Sequence, residues 1–254
     1  MFQDSRPLSA VLTSPEQATP LSVDPEVLKS MGIYGFDSVD PRSRSFNLIR
    51  SKIIELHSEL NWRTFGVVSA TPQVGKSFIS ANLAASLSRN PKYQTYLLDL
   101  DLRRGSVSAL CGIENGSMRQ FLEESPEVTH PEAYRFDHQR LVILPTRPKL
   151  TASAELLAGA RAQALFQAMR ASGERDLFIV DLPPVFANDD AAVVMEKLDG
   201  YILVAEEGKT NVREVKDATA QLGTEKLAGV ILNKYRGGMI NEGYGIGKYY
   251  TAGY

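Results

Sequence analysis

The chain has 254 residues, is 43% hydrophobic and 23% charged, and carries a formal charge of −2. That balance suits a globular protein with one large core and excludes a chain drawn to nucleic acid by an overall basic field. Its single cysteine, Cys111, forms no internal disulfide, which fits a reducing compartment, and His57, His130 and His138 lack metal-ligand spacing.

The opening "MFQDSRPLSAVLTSPEQATP" has neither the basic start nor the apolar run of a signal peptide. No apolar stretch reaches the ~18 residues needed to cross a bilayer, so the expectation is a soluble, cytoplasmic protein. Over residues 1–40, Pro, Ser, Thr and Asp recur without helical or strand period, which predicts an extended or disordered arm with a short helix at "PEVLKSM". In "SRSFNLIRSKIIELHSEL", Phe46, Ile49, Ile53, Leu56 and Leu60 form the stripe of an amphipathic helix. Apolar runs then alternate with helical ones: "FGVVSA" and "SFISANLAASLS"; "TYLLDLD"; "LVILP" and "SAELLAGARAQALFQAMRA"; "LFIVDLPP"; "GYILVAEEG" and "NVREVKDATAQL"; "LAGVILNK". Short β-rich runs separated by helices need crossover connections. The fold class is therefore α/β, a doubly wound, mostly parallel sheet flanked by helices, over residues 41–234. Residues 235–254 form a tyrosine- and glycine-rich tail.

The strongest chemical signal is an apolar strand running through Ala70, Thr71, Pro72, Gln73, Val74, Gly75, Lys76 and Ser77 into a helix that begins near Phe78. This is the A-x-x-x-x-G-K-S form of a phosphate loop, with Ala70 where Gly is usual. Backbone amides and the helix N-terminus surround nucleotide phosphates, Lys76 reaches β- and γ-phosphate oxygens, and the Ser77 hydroxyl suits Mg²⁺. ATP or GTP is the expected ligand. Asp99 and Asp101 close the next apolar run two residues apart, on one face if the strand continues through them; one could hold water on Mg²⁺ and the other accept a proton. Asp181 ends "LFIVDLPP" and suits the outer Mg²⁺ shell, with Pro183 and Pro184 stopping the strand.

These residues resemble the bacterial tyrosine kinases of capsule and exopolysaccharide synthesis, a branch of the phosphate-loop ATPases. "SATPQVGKSFISANLA", "LLDLDLRRG" and "FIVDLPPVFANDDA" look like that family's three nucleotide motifs, and the tyrosine-rich tail completes the pattern. The resemblance implies a P-loop kinase domain that binds ATP and Mg²⁺ through Thr71–Phe78. It further implies that Asp99 and Asp101 share metal binding and activation of the acceptor hydroxyl, that Asp181 supports the metal, and that Arg103 serves charge or orientation. Asn233 matches a position near the base pocket. A flexible tail can present several phenols in turn, so Tyr244, Tyr249, Tyr250 and Tyr254 are the expected autophosphorylation sites, used in trans through self-association.

The resemblance also implies a membrane-anchored polysaccharide co-polymerase as activator at the inner face of the membrane, and an opposing protein-tyrosine phosphatase. Where many relatives carry a Glu and two Arg for ring formation, this chain has Arg44, Asn47 and Arg50. The competing reading is a non-kinase ATPase switch of the partitioning or division-site type, whose signature lysine and Gly-Gly pair are replaced here by Thr71, Pro72 and Gln73. A third is a nucleotide-binding scaffold.

Overall fold

The computed structural model describes residues 11–137, 139–149 and 152–236. The elements in chain order are β1 (Thr19–Leu21), α1 (Pro25–Ser30), α2 (Arg44–Leu60), β2 (Thr64–Ser69), α3 (Lys76–Ser88), β3 (Gln94–Asp99), α4 (Val107–Leu110), α5 (Met118–Leu122), β4 (Tyr134–Phe136) and β5 (Leu141–Leu144). There follow α6 (Ser153–Ala158), α7 (Ala160–Ala171), β6 (Asp176–Asp181), α8 (Asp190–Met195), β7 (Gly200–Glu206), α9 (Val212–Leu222) and β8 (Leu227–Asn233). The strands form one sheet in the order β1-β4-β5-β3-β6-β2-β7-β8, parallel throughout except between β4 and β5.

The central strands are apolar on both sides because both faces are covered, and side-chain alternation sorts them into two cores. Phe65, Val67, Leu97, Ile179 and Val204 pack with α2, α3 and α4, whereas Val68, Leu98, Val180 and Leu203 pack with α5, α7, α8 and α9. Each such buried side chain contributes roughly 1.5–3 kcal/mol. Helix α3 is buried nearly all round, since it lies against the sheet on one side and α2 and the N-terminal segment on the other. Of the stripe on α2, Phe46, Ile53 and Leu56 are buried, while Leu60 in the last turn is exposed.

Two expectations are corrected. Residues 11–40 are not an extended arm but a docked segment: β1 adds to the sheet edge beside β4, α1 forms as expected within "PEVLKSM", and Leu28 and Ile33 enter the core. The clasp is Asn82 of α3, whose Oδ1 accepts from the amides of Tyr34 (2.7 Å) and Gly35 (3.0 Å) and whose Nδ2 donates to the Gly32 carbonyl (2.9 Å). Only glycine fits at position 35, where a Cβ would lie 2.2 Å from the Asn82 carbonyl oxygen. The single helix expected across "SAELLAGARAQALFQAMRA" is two, α6 and α7, because Gly159 between them is extended (φ −70°, ψ 172°). Strands β1 and β4, at three residues each, are additions to the expected set. Tyr244, Tyr249, Tyr250 and Tyr254 lie outside the described residues, as does His138.

Candidate nucleotide and phosphotransfer site

Strand β2 delivers the chain to the carboxyl edge of the sheet, the place where ligands gather in such folds. The loop from Ala70 to Gly75 turns there, with Gln73 (φ 64°) and Gly75 (φ 94°) both left-handed. At Gly75 a Cβ would stand 2.3 Å from Nδ2 of Asn233, so the loop depends on glycine. Ser69 Oγ donates to the Thr71 carbonyl (2.7 Å), and Val74 is buried beneath the loop.

A cavity of about 940 Å³ opens over this loop. Pro72, Gln73, Gly75, Lys76, Ser77 and Phe78 line it from the loop side, Asp101, Arg103 and Arg104 from the turn after β3, Pro183 and Pro184 from the end of β6, and Lys234 from the end of β8. Met31, Ala109 and Leu110 close its remaining side. Arg104, Lys234, Met31 and Leu110 were missed in the sequence; only the adjacency of Arg104 to Arg103 and of Lys234 to Asn233 could have suggested two of them.

Asn233 does not line the cavity. Its Nδ2 donates to the Val74 carbonyl (2.8 Å), and Nζ of Lys234 donates to the Gln73 carbonyl (2.8 Å), so the end of β8 holds the loop by its carbonyl oxygens. Lys209 reaches the Pro72 carbonyl at 3.4 Å. Glu206 lies 3.1 Å from Lys234 and 3.4 Å from Lys209, and these lysines, Lys234 foremost, hold its carboxyl below the usual range.

Asp99 and Asp181 sit side by side in register on β3 and β6, both fully buried. Ser77 Oγ donates to Asp181 Oδ2 (2.5 Å) and Ser80 Oγ to Oδ1 (2.9 Å). Burial pushes the Asp181 carboxyl up to about 6, opposed by the charge of Lys76 and by the two serine hydroxyls. Burial, then the charges of Asp181 and Asp101, raises Asp99 well above the carboxylate range.

Asp99 and Asp101 do not share a strand face, as expected above, because β3 ends at Asp99. Asp101 lies in the following turn, its carboxylate accepting from the Arg104 amide (3.0 Å), and it alone of the pair faces the cavity. Asp99 points behind that turn and accepts from the amides of Asp101 and Val107, both at 3.2 Å.

Hydroxyl and carboxylate oxygens of this kind suit a hard divalent cation. Among the described residues no three His, Cys, Asp or Glu side chains form a complete metal cage. On α2, Arg44 is exposed, Asn47 Oδ1 accepts from Arg89 and from Ser86 Oγ (3.3 Å), and Arg50 donates to the Ser86 carbonyl (3.4 Å). No helix among the described residues is long and apolar enough to cross a membrane.

The CobQ/CobB/MinD/ParA nucleotide binding domain family matches residues 65–244. Tyrosine-protein kinase YwqD of Bacillus subtilis (strain 168) is 31% identical over 195 residues, covering 75% of this chain and 80% of that protein. Tyrosine-protein kinase wzc of Salmonella typhimurium is 30% identical over 204 residues, 76% of this chain, which spans only 27% of that longer protein. The crystal structure of the chimerical protein CapA2B2 shares the fold with a TM-score of 0.70 over 85% of this chain and 93% of that one, at 22% identity.

Proposed function

This chain belongs to the bacterial tyrosine-protein kinases, and from that premise we propose that it transfers the γ-phosphoryl group of ATP to tyrosine. The first acceptors are Tyr244, Tyr249, Tyr250 and Tyr254 of a neighbouring copy. The observation that carries this reading is that Asp101, a carboxylate able to take a phenolic proton, lines the same cavity as Lys76 and the phosphate loop.

The loop amides and Lys76 hold the triphosphate, with Asn233 and Lys234 fixing the loop that holds it. Ser77, backed by Asp181, would hold Mg²⁺, and Asp99 shapes the turn that aims Asp101. Bound there, the cation would supply positive charge to offset that of the phosphates. The phenolic oxygen forms its bond to the γ-phosphorus as the bond to the β,γ-bridging oxygen breaks. ADP departs with that electron pair, and the phenolic proton passes to Asp101. Arg103 and Arg104 face the cavity where charge builds on the transferring group.

Each added phosphate carries about −1.5 to −2 charges, so a modified tail repels its neighbours and loosens the assembly that produced it. A membrane-anchored polysaccharide co-polymerase then serves as recruiter and activator, a protein-tyrosine phosphatase resets the tail, and the cycle regulates export of a surface polysaccharide. Thr71, Pro72 and Gln73 support this reading over a partitioning-type switch, whose lysine and glycines they replace.

Incubation with γ-labelled ATP and Mg²⁺ tests the proposal. Label is expected on the four tail tyrosines, and on a Lys76→Met copy mixed with the parent chain. Label found only in inorganic phosphate would establish an ATPase switch, and label left on ATP a scaffold.

A further inference from the structure

The cavity has two unlike ends. In the sheet order β3-β6-β2-β7-β8, the loop after β2 stands between the turn after β3 and the end of β8, two strands away on either side, or about 10 Å. The β8 end is polar and basic, with Lys234 at the wall. The β3 end carries Asp101, Arg103 and Arg104 and leads into α4, where the lining becomes apolar with Leu110, Phe78 of α3 and Met31 of the N-terminal segment.

We propose that Met31, Phe78 and Leu110 form the seat for the acceptor's aromatic ring and so select tyrosine over serine or threonine. This rests on the kinase reading above and extends it to the choice of acceptor. The Phe78 ring is fixed edge-on by Tyr34 (6.3 Å) and Phe46 (5.8 Å). Met31 is 38% exposed, open to a ligand, and its Cε and Sδ would stand 3.6 and 3.8 Å from a Cβ placed at Gly112, just past α4. A thioether and a ring edge are favourable neighbours for a phenol ring. Because Asp101, in the turn after β3, lines the same cavity as Met31, Phe78 and Leu110, a ring seated on that apolar wall presents its para hydroxyl toward the carboxylate. An aliphatic alcohol would leave the wall uncovered and its hydroxyl unplaced.

The test uses the full chain with its four tail tyrosines changed to phenylalanine, and a peptide of residues 241–254 as acceptor. Met31→Ser and Leu110→Ser are each expected to raise the acceptor KM about tenfold while the KM for Mg-ATP moves less than about twofold. Met31→Leu should stay close to the parent, and a matching serine peptide should be a poor acceptor for the parent and lose little in the variants. Unfolding midpoints near the parent's would confirm that both serine variants fold. An acceptor KM unmoved by both, or moved equally with that for ATP, overturns the assignment of this seat. A parent chain that phosphorylates no tyrosine in any acceptor overturns the kinase reading instead.

Discussion

The two walls of the cavity are held by different physics. On the β8 side, Asn233 and Lys234 grip the phosphate loop through its carbonyl oxygens, with Glu206 pairing the lysine from beneath. On the α4 side, Met31 belongs to a segment docked by β1 at the sheet edge, by Leu28 and Ile33 in the core, and by one buried side-chain amide, Asn82, from the middle of α3. The first wall is polar and local to the sheet, and the second is apolar and assembled from segments distant in sequence. A phosphate needs donors at fixed positions, whereas a ring needs area, and the two walls differ accordingly.

Lys76 belongs to neither wall, so its loss sets the ceiling. Lys76→Met should lower tail phosphorylation by about 10³-fold or more with the fold retained, read by labelled ATP and circular dichroism. Asp101→Asn should break the α4 side alone, cutting kcat by about 10²-fold while ATP binding by calorimetry persists. Equal loss of ATP binding in that variant would erase the division between walls. Asn82→Leu should leave the amides of Tyr34 and Gly35 without their acceptor, costing about 2 kcal/mol in urea denaturation and exposing residues 11–40 to limited proteolysis. Asn233→Ala should cost about 1 kcal/mol and weaken ATP several-fold, with the acceptor KM little changed. The smallest effect is expected at Val230, 48% exposed on β8, where a change to Thr should stay within about 0.5 kcal/mol.

What the sequence disclosed follows the same division. Strand, phosphate loop and α3 are contiguous, so the spacing of Gly75, Lys76 and Ser77 could be read directly, and the longer apolar runs announced β2, β3, β5, β6, β7 and β8. Strands β1 and β4 have three residues each, too few to show alternation. The docking of residues 11–40 turns on contacts 47 and 48 residues apart in the chain, to which no local pattern points. Asp99 and Asp101 were paired by the two-residue period of a strand, and that period ends with β3 at Asp99. Lys234 acquires its place only because sheet order sets β8 two strands from β2.

The clasp at Asn82 has a mechanical corollary. Once β1 is stripped from β4, a pull on the N-terminal segment passes to the helix whose first turn carries Lys76 and Ser77, six and five residues upstream of Asn82. Tension that reaches the clasp thus arrives at the element bearing the two proposed triphosphate ligands, Lys76 and Ser77.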